Sequence, residues 1–262
     1  MLTKKKNECQ EKLNLRTFKF LFFKNILEEV KKNRKLCLEK NLMKISYFGH
    51  SCFFIEGNKT SLLIDPFDPE KLFGNPNFPN VNPDLVLVTH DHFDHNFAQK
   101  FYDAGSFPIF EPGDYEVKGV IVSGVQSFHD NSHGEERGEN VIFIFEIDDV
   151  KFAHLGDLGH EISSENIDEL KGIDVLFVPV GGNGYTIDAK KAVDVIENLS
   201  PKIVIPMHYK ENGKNVILDD LLIFLREYGA GPTETQDCLK ITKKDIDAIG
   251  ENEKLVILSR TL

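Results

Sequence analysis

Residues 90 to 95 read His-Asp-His-Phe-Asp-His, which places four potential metal ligands within six positions. The segment follows the apolar run Leu85 to Thr89, whose β-branched residues predict a buried strand. If the backbone stays extended, His90 and His92 point the same way, because side chains alternate along a strand with period two. Two imidazoles can then converge on one ion, so the segment predicts a metal site.

Asp94 and His95 reach the same locality if a helix begins near Asp94, since its first turn would bring both side chains back. Four ligands so close together can serve two adjacent metal ions. A plainer interpretation makes them solvated polar residues on a loop, with Asp94 as the cap of the following helix. Three histidines and an aspartate after a buried strand would be an odd way to cap a helix, so the metal site is favoured.

Three further strand-like runs end in residues that could complete such a site. They are 122–128, followed by His129; 152–155, followed by Gly156 and Asp157; and 202–206, followed by Met207 and His208. Loops held by a rigid sheet are where functional side chains commonly lie. His129, Asp157 and His208 are therefore candidate ligands.

The elements that must position these residues alternate along the chain from residue 43 onward. Besides the strand at 85–89, we expect strands at 45–48, 52–56, 61–64, 108–111, 119–127, 140–147, 151–154, 174–179, 202–207 and 255–258. We expect helices at 96–102, 164–170, 189–199 and 216–228, and a Pro- and Asn-rich surface loop at 65–83. This order predicts a single α/β or α+β domain with mixed sheets.

The charge is unevenly distributed along the 262 residues, whose formal net charge is −11. Residues 1–42 hold twelve Lys and Arg against five Asp and Glu, a net of +7, so residues 43–262 carry −18. We predict a basic N-terminal extension at 1–42, helical or poorly ordered, before a folded domain at 43–262 that holds the predicted metal site. The extension is either an amphipathic helix for an anionic surface or partner or, as we favour, a loosely attached segment, because Met43 opens directly into a strand.

Composition excludes several classes of protein. The 41% of apolar residues supports a folded core, and no stretch approaches the roughly 20 uninterrupted apolar residues that cross a bilayer. The acidic domain argues against a nucleic-acid partner, which would select a basic surface. Four cysteines without C-x-x-C spacing indicate free thiols in a reducing compartment, so we expect a cytoplasmic protein.

From residue 43 to about residue 210, the motifs resemble in order those of the metallo-β-lactamase superfamily: Asp65 at a strand end, the segment 90–95, His129, Asp157 and His208. They are most similar to a branch of uncharacterised metal-dependent hydrolases related to ascorbate-phosphate lactonase. That likeness is carried by residues 49–56, 156–157, 179–183 and 205–209. The resemblance implies an αβ/βα four-layer sandwich with its metal site at one edge of the paired sheets.

The resemblance also implies two divalent metal ions, with zinc favoured and Mn²⁺ or Fe as alternatives. Its ligand sets would be His90, His92 and His129 for the first ion and Asp94, His95 and His208 for the second, with Asp157 bridging. Superfamily members with di-iron redox chemistry typically carry Glu at the position of His92 and an attached flavin domain. This chain has neither, so hydrolysis is expected.

The implied reaction is hydrolysis of a small ester, lactone or phosphoester by a hydroxide that bridges the two ions. Asp94 would orient the hydroxide and accept a proton. The summed charge of the ions, two carboxylates and the hydroxide is about +1, which suits an anionic small molecule. The alternatives are a phosphodiesterase or nuclease, and a non-enzymatic protein that binds a ligand at the metal site. The sequence leaves homo-oligomer formation open.

Five residues are candidates for substrate contacts: His50, Arg137, Asn140, Asn183 and Tyr185. His50 follows a glycine at a strand turn and could equally be a hydrogen-bonded structural residue. Arg137 and Asn140 belong to a Gly-rich hairpin, where an arginine could fork a carboxylate or phosphate or serve solubility alone. Asn183 and Tyr185 lie in a loop that resembles a substrate-side loop and could be an ordinary strand-to-helix turn.

Three other histidines are placed outside the ligand set. His154 and His160 flank Asp157 and are expected to support ligands at most. His133, in the polar hairpin after His129, is expected to face solvent.

Overall fold

The computed structural model describes residues 42–211, 217–231 and 233–261. Those from Met43 onward belong to one compact unit, Met43–Leu262. The basic extension predicted for residues 1–42 lies, apart from Leu42, outside the described residues.

The described residues form fifteen strands and six helices. The strands are β1 (Met43–Gly49), β2 (Cys52–Glu56), β3 (Ser61–Ile64), β4 (Leu85–Leu87), β5 (Phe107–Ile109), β6 (Gly113–Val117), β7 (Val120–Phe128), β8 (Glu139–Ile147), β9 (Val150–His154), β10 (Val175–Pro179), β11 (Ile203–Met207), β12 (Thr235–Gln236), β13 (Cys238–Ile241), β14 (Lys254–Leu255) and β15 (Ile257–Leu258). The helices are α1 (Pro69–Phe73), α2 (Gln99–Asp103), α3 (Ser164–Glu169), α4 (Ala189–Leu199), α5 (Leu221–Glu227) and α6 (Lys243–Asp247).

Two mixed sheets carry most of the strands. The first has the spatial order β13-β1-β2-β3-β4-β5, and the second has the order β14-β11-β10-β9-β8-β7-β6. In the first sheet, β3, β4 and β5 run parallel and the other pairs are antiparallel. In the second, β9, β10, β11 and β14 run parallel, whereas β6 to β9 alternate in direction.

Three apolar cores separate four layers. Strand β8 shows why, because its side chains alternate: Phe143 and Phe145 enter the core between the two sheets, and Ile142 and Ile144 enter the core under the helices of the second sheet. A third core lies between the first sheet and the helices α1 and α2. The layers therefore run helix, sheet, sheet, helix, which confirms the predicted αβ/βα sandwich.

Helix α4 illustrates how a helix covers the second sheet. Its side chains at Ala192, Val195, Ile196 and Leu199 are buried at spacings of three and four residues, which form one apolar face. Asp188 caps its N-terminus by accepting a hydrogen bond from the backbone N–H of Lys191.

The ends of several strands meet at one edge of the sandwich. β3 and β4 are parallel neighbours in the first sheet, as are β9, β10 and β11 in the second. Strand β7 ends at the same edge as β9, because each is antiparallel to β8 between them. The loops after these strands carry the residues described below.

The expectation of a helix near Asp94 is wrong. Strand β4 ends at Leu87, and the backbone N–H groups of His95 and Asn96 both donate to the carbonyl of His92, at 2.9 Å. This tight turn brings the side chains of the segment together without a helix, and α2 starts only at Gln99.

Other boundaries differ from those expected. The predicted surface loop at 65–83 contains α1, because Asp68 caps that helix and Pro69 occupies its first position. The predicted edge strand at 255–258 divides at Val256 into β14, which pairs with β11, and β15, which pairs with β12. Strands β6 and β13 and helix α6 were not expected. Within the described part of the helix expected at 216–228, α5 covers Leu221–Glu227.

Among the described residues, every helix is too short or too polar to span a bilayer. Two of the four cysteines, Cys52 and Cys238, lie in this part of the chain, and both are free thiols.

Candidate metal centre

The loops at this edge bring together a compact cluster of imidazoles and carboxylates. One set of ligand atoms, which we call the His90 group, comes from His90, His92 and His129. A second set, the Asp94 group, comes from His50, Asp94, His95 and His208. Within each group all ligand atoms lie within 4.8 Å of one another. All seven predicted ligands are therefore in one place, and His50 joins them.

Asp157 lies between the two groups. Its Oδ2 atom is 2.9 Å from Nε2 of His208, 3.2 Å from Nε2 of His129 and 3.3 Å from Nε2 of His95. Nε2 of His90 is 3.9 Å away. One carboxylate oxygen thus faces residues of both groups, which is the placement a bridging ligand needs.

The cluster leaves buried polar atoms without hydrogen-bond partners. Among the described residues these are Nε2 of His90 and His95, Nδ1 of His129 and His208, and Oδ1 of Asp157. A buried polar atom without a partner costs about 1–3 kcal/mol. Divalent cations coordinate imidazole nitrogen and carboxylate oxygen, so ions bound in the cluster would satisfy Nε2 of His90 and His95 and Oδ1 of Asp157. The residues present fit a metal centre.

The cluster shifts the pKa values of its own members. Burial raises the pKa of Asp157, but nearby His208 and His95 outweigh burial and hold it well below its usual range. Burial likewise opposes the charged form of His95, yet Asp157 and Asp65 raise its pKa well above the ordinary value. Burial lowers the pKa of His90, and the neighbouring His95 lowers it further. The shifts thus favour an ionised Asp157 and a neutral His90, the forms that bind metals, whereas a metal ion bound to His95 would have to displace its proton.

Asp65 and Thr89 hold the ligands in place. The Asp65 carboxylate is fully buried and accepts hydrogen bonds from the backbone N–H and the hydroxyl of Thr89, each at 2.8 Å. It also lies 2.9 Å from Nδ1 of His95, which directs the other ring nitrogen of His95 into the cluster. Thr89 Oγ1 is 3.0 Å from Nδ1 of His90 and orients that ring similarly.

The structure corrects the role of Asn140. Its side chain was expected to contact substrate, but the residue is fully buried, 0% exposed. Its amide donates to Ser127 Oγ and to the carbonyl of Leu155, while its Oδ1 accepts from the backbone N–H of Asp157. Asn140 therefore fixes the loop that carries Asp157.

His50 occupies the turn between β1 and β2. Its side chain is 4% exposed, and its Nε2 lies 3.1 Å from Oδ2 of Asp94. Burial, together with nearby His208, lowers the pKa of His50 to about 4. A side chain this buried offers little surface to a substrate. Its place is inside the cluster.

The hairpin after His129 is organised by one carboxylate. Asp130 accepts hydrogen bonds from the backbone N–H groups of Ser132, Gly134, Glu136 and Arg137, at 2.7–3.0 Å. Asp130 is not among the predicted site residues, although an Asp at the start of a Gly-rich hairpin is a known turn signal.

Arg137 and Tyr185 meet although they are distant in sequence. The guanidinium carbon of Arg137 lies 4.3 Å from the centre of the Tyr185 ring. Asn183, in the same loop as Tyr185, is exposed and has a left-handed backbone, with φ 57°. Three of the five candidate substrate residues thus lie on the loops after β7 and β10.

The remaining histidines take supporting or peripheral positions. His154 is buried, with its Nε2 2.9 Å from the carbonyl of Ser51 and its Nδ1 accepting from the backbone N–H of Gly156. His160 Nε2 accepts from the backbone N–H of Phe128. His133 is exposed, as expected.

A cavity of about 430 Å³ lies beside the cluster. Val88, Tyr102 and Phe110 form apolar parts of its lining, together with His90 and Asp91. Ligand sites for small molecules commonly enclose about 300–1,000 Å³.

A four-layer αβ/βα sandwich with a buried His/Asp cluster at the sheet edge defines a class of metal-binding hydrolases. Residues 44–208 match the β-lactamase superfamily domain, and the chain belongs to the metallo-β-lactamase superfamily. A UPF0173 metal-dependent hydrolase of Thermoplasma volcanium is 34% identical over 208 residues, covering 70% of this chain and 89% of the relative. Another, from Desulforamulus reducens, is 31% identical over 228 residues, covering 76% and 97%.

Solved structures agree with this assignment. A Thermotoga maritima protein described as a Zn-dependent hydrolase of the metallo-β-lactamase superfamily superposes with a TM-score of 0.63 at 35% identity, covering 82% of this chain and 98% of its own. A metallo hydrolase of Ignicoccus hospitalis shares the fold, with a TM-score of 0.57 at 23% identity and coverage of 77% and 98%. The protein is therefore a metal-dependent hydrolase, and its His/Asp cluster is able to bind metal.

Proposed function

We propose that the protein is a dinuclear hydrolase, with zinc as the favoured ion, that cleaves a small ester, lactone or phosphoester. The observation that carries this proposal is the position of Asp157 between two groups of ligand atoms. One group alone would accept one ion. Two groups that share a carboxylate have the composition of a paired site, with His90, His92 and His129 for one ion, Asp94, His95 and His208 for the other, and Asp157 bridging.

Bound ions would supply Lewis acidity, which lowers the pKa of water and polarises a carbonyl or phosphoryl oxygen. The chain would supply the base. Asp94 carries a buried carboxylate that can accept a hydrogen bond from the attacking water and take its proton. Asp65 would hold the ring of His95 in its orientation, and Asn140 would hold the backbone of Asp157 in position, through the hydrogen bonds described above.

The substrate would lie between the cluster and the loops after β7 and β10. Arg137 presents a guanidinium that can fork a carboxylate or phosphate, and its contact with Tyr185 places that charge beside the loop of Asn183. A separate cavity of about 430 Å³ beside His90, lined from the segments after β4 and β5, also has a volume that suits a small molecule. An acidic domain in which Arg137 is held beside Tyr185 supports a small anionic substrate over nucleic acid.

Metal analysis of freshly purified protein, followed by a substrate screen, tests this proposal. We expect about two equivalents of divalent metal per chain and hydrolysis of at least one member of a panel of lactones, thioesters, phosphodiesters and phosphorylated sugars. A chelator should abolish the activity, and added Zn²⁺ should restore it.

Two histidines of one loop provide a matched control. His129→Ala should lose metal and activity, whereas His133→Ala should keep both, because His133 is exposed and outside the cluster. A single bound equivalent, or hydrolysis that survives complete metal removal, would contradict the proposal.

A further inference from the structure

His50 contributes a ligand atom to the Asp94 group in addition to the residues implied by the superfamily resemblance. Its Nε2 is 3.1 Å from Oδ2 of Asp94, and both atoms lie within 4.8 Å of the ligand atoms of His95 and His208. Two neighbouring ligands that each lie about 2.0–2.1 Å from one ion are separated by roughly 3 Å. The spacing is therefore that of two ligands on one ion, as well as that of a hydrogen bond.

Three hydrogen bonds fix the backbone of His50. Its N–H donates to Oε2 of Glu211 at 2.8 Å, and its carbonyl accepts from the backbone N–H of His208 at 2.8 Å and from the hydroxyl of Tyr47 at 3.0 Å. The bond from His208 ties two members of the Asp94 group directly to each other. Side chains held this firmly are suited to metal ligation, which needs positions accurate to about 0.5 Å.

The turn adopts a costly conformation to place this side chain. His50 has φ 57° and His208 has φ 52°, both in the left-handed region that non-glycine residues rarely adopt. Backbone strain of this kind concentrates at functional sites. A Cβ on the preceding Gly49 would come within 2.7 Å of Cδ of Arg260, so the packing admits little displacement of the turn.

A second support comes from the opposite sheet. His154, at the end of β9, lies 2.9 Å from the carbonyl of Ser51 and accepts the backbone N–H of Gly156. One buried imidazole thus connects the turn of His50 to the loop of Asp157. The hydrogen bonds of His50 and His154 thus connect residues of the cluster, and neither histidine is bonded to Arg137, Asn183 or Tyr185 in those described hydrogen bonds.

We propose that His50 is a direct metal ligand, so that the second ion of the dinuclear centre is held by His50, Asp94, His95 and His208 with Asp157 shared. This rests on the proposed dinuclear function and adds a residue to it. Three neutral imidazoles and a carboxylate suit Zn²⁺, and also Mn²⁺ or Fe²⁺. The His90 group has no corresponding carboxylate of its own, so the two ions would have unequal surroundings.

The alternative role is a hydrogen bond from His50 that only orients Asp94. His50→Gln and His50→Glu separate the two roles, because both side chains have similar reach. Gln keeps an N–H donor for Asp94 and is a poor ligand, whereas Glu is a good ligand and has no donor when ionised. If His50 is a ligand, His50→Glu should retain more metal than His50→Gln. If His50 only orients Asp94, His50→Gln should retain more metal than His50→Glu.

The measurement is the number of Co²⁺ equivalents retained against a competing chelator, with the visible Co²⁺ spectrum recorded and circular dichroism confirming the fold. Wild type should retain two equivalents. His50→Gln should retain one, with the other weakened by about 10- to 100-fold or more, and His50→Glu should retain close to two.

Retention of both equivalents by His50→Gln, or greater loss in His50→Glu than in His50→Gln, overturns the ligand role while leaving the dinuclear function standing. Wild-type protein that binds fewer than two equivalents overturns both. A folded His50→Glu with the wild-type count and an altered Co²⁺ spectrum supports direct ligation.

Discussion

At the scale of single residues, the centre depends on a few atoms with several neighbours each. Asp157 Oδ2 faces three imidazole nitrogens within 3.3 Å. Asp65 serves both Thr89 and His95. Loss of one such carboxylate would therefore disturb several partners, and its effect should exceed that of a single contact.

Asp94→Asn should abolish turnover while leaving the fold intact. The amide has nearly the same shape but cannot take a proton, and general-base catalysis commonly contributes about 10²- to 10⁴-fold. Steady-state kinetics on the substrate found in the screen would measure the loss. Asp103→Asn, an exposed carboxylate at the end of α2, is the control and should retain full activity. Unchanged turnover in Asp94→Asn would refute the role of Asp94 as the base.

Asn140→Asp should destabilise the protein and weaken its metal binding. The substitution removes the donors to Ser127 Oγ and to the carbonyl of Leu155, and each buried group left unsatisfied costs about 1–3 kcal/mol. Urea unfolding measures the change in free energy. Asn198→Asp on the exposed side of α4 should change it by less than about 0.5 kcal/mol. Equal effects at the two positions would show that Asn140 has no special structural role.

At the scale of elements, the candidate ligands follow the ends of strands, and the conformation of each loop sets where their side chains lie. Residues 92–95 illustrate how a strand and the turn that follows it act together. Strand β4 brings the chain to the edge, and a tight turn rather than a helix gathers the side chains. The alternation argument anticipated that His90 and His92 would converge, and their ring centres are 4.6 Å apart, but both lie beyond the end of β4.

Gly181→Ala should displace the end of β11. A Cβ at this position would lie 2.0 Å from the carbonyl oxygen of His208, which is backbone and cannot rotate away. We expect a loss of about 1–3 kcal/mol in unfolding free energy and weaker metal binding, both measured against wild type. Gly231→Ala meets no described atom within 4 Å and should leave metal binding unchanged. If both variants bind metal as wild type does, the packing argument fails.

Asp130 should make the hairpin after His129 sensitive to acid. Burial raises the pKa of Asp130, but the N–H bonds from Arg137 and its neighbours outweigh burial and lower it to about 2. A depressed pKa stabilises the folded state above the unfolded pKa of about 4, and that contribution is lost as the pH falls towards 2. Asp130→Asn should therefore show a shallower fall in unfolding free energy between pH 4 and 2 than wild type. If the unfolding free energy falls equally steeply in both proteins, Asp130 does not cause the acid sensitivity.

At the scale of the whole molecule, the centre connects the two sheets. His50, Asp94 and His95 belong to loops of the first sheet, and His129, Asp157 and His208 to loops of the second. Ions bound between them should stabilise the folded chain, because an unfolded chain lacks the assembled site.

Removal of metal should lower the Tm. At a free ion concentration of 100 times the Kd, one bound ion contributes about 2.7 kcal/mol to stability. Thermal unfolding with and without a chelator would measure the shift, and Zn²⁺ added back should reverse it. A Tm that is indifferent to the chelator, in protein shown to lose its metal, would mean that the centre does not stabilise the sandwich.

Local sequence patterns predicted much of this arrangement. Apolar runs followed by His or Asp are visible one strand at a time, so the candidate ligands His90, His129, Asp157 and His208 could be named without a structure. Pairings between distant segments have no local signal. The register of Met43 with Ile241 in the first sheet is one example, and the approach of His50 to Asp94 is another. The role of Asn140 was misread because burial cannot be inferred for a polar residue that starts a hairpin strand.

The order of the ligands along the chain has a consequence during protein synthesis. His90, His92, His129 and Asp157 leave the ribosome well before His208, which follows the strand β11 between β10 and β14 in the second sheet. The Asp94 group can therefore be completed only after β11 and His208 have been made, although its other members lie far earlier in the chain. A chain truncated before residue 208 would keep every other candidate ligand and still lack a complete Asp94 group.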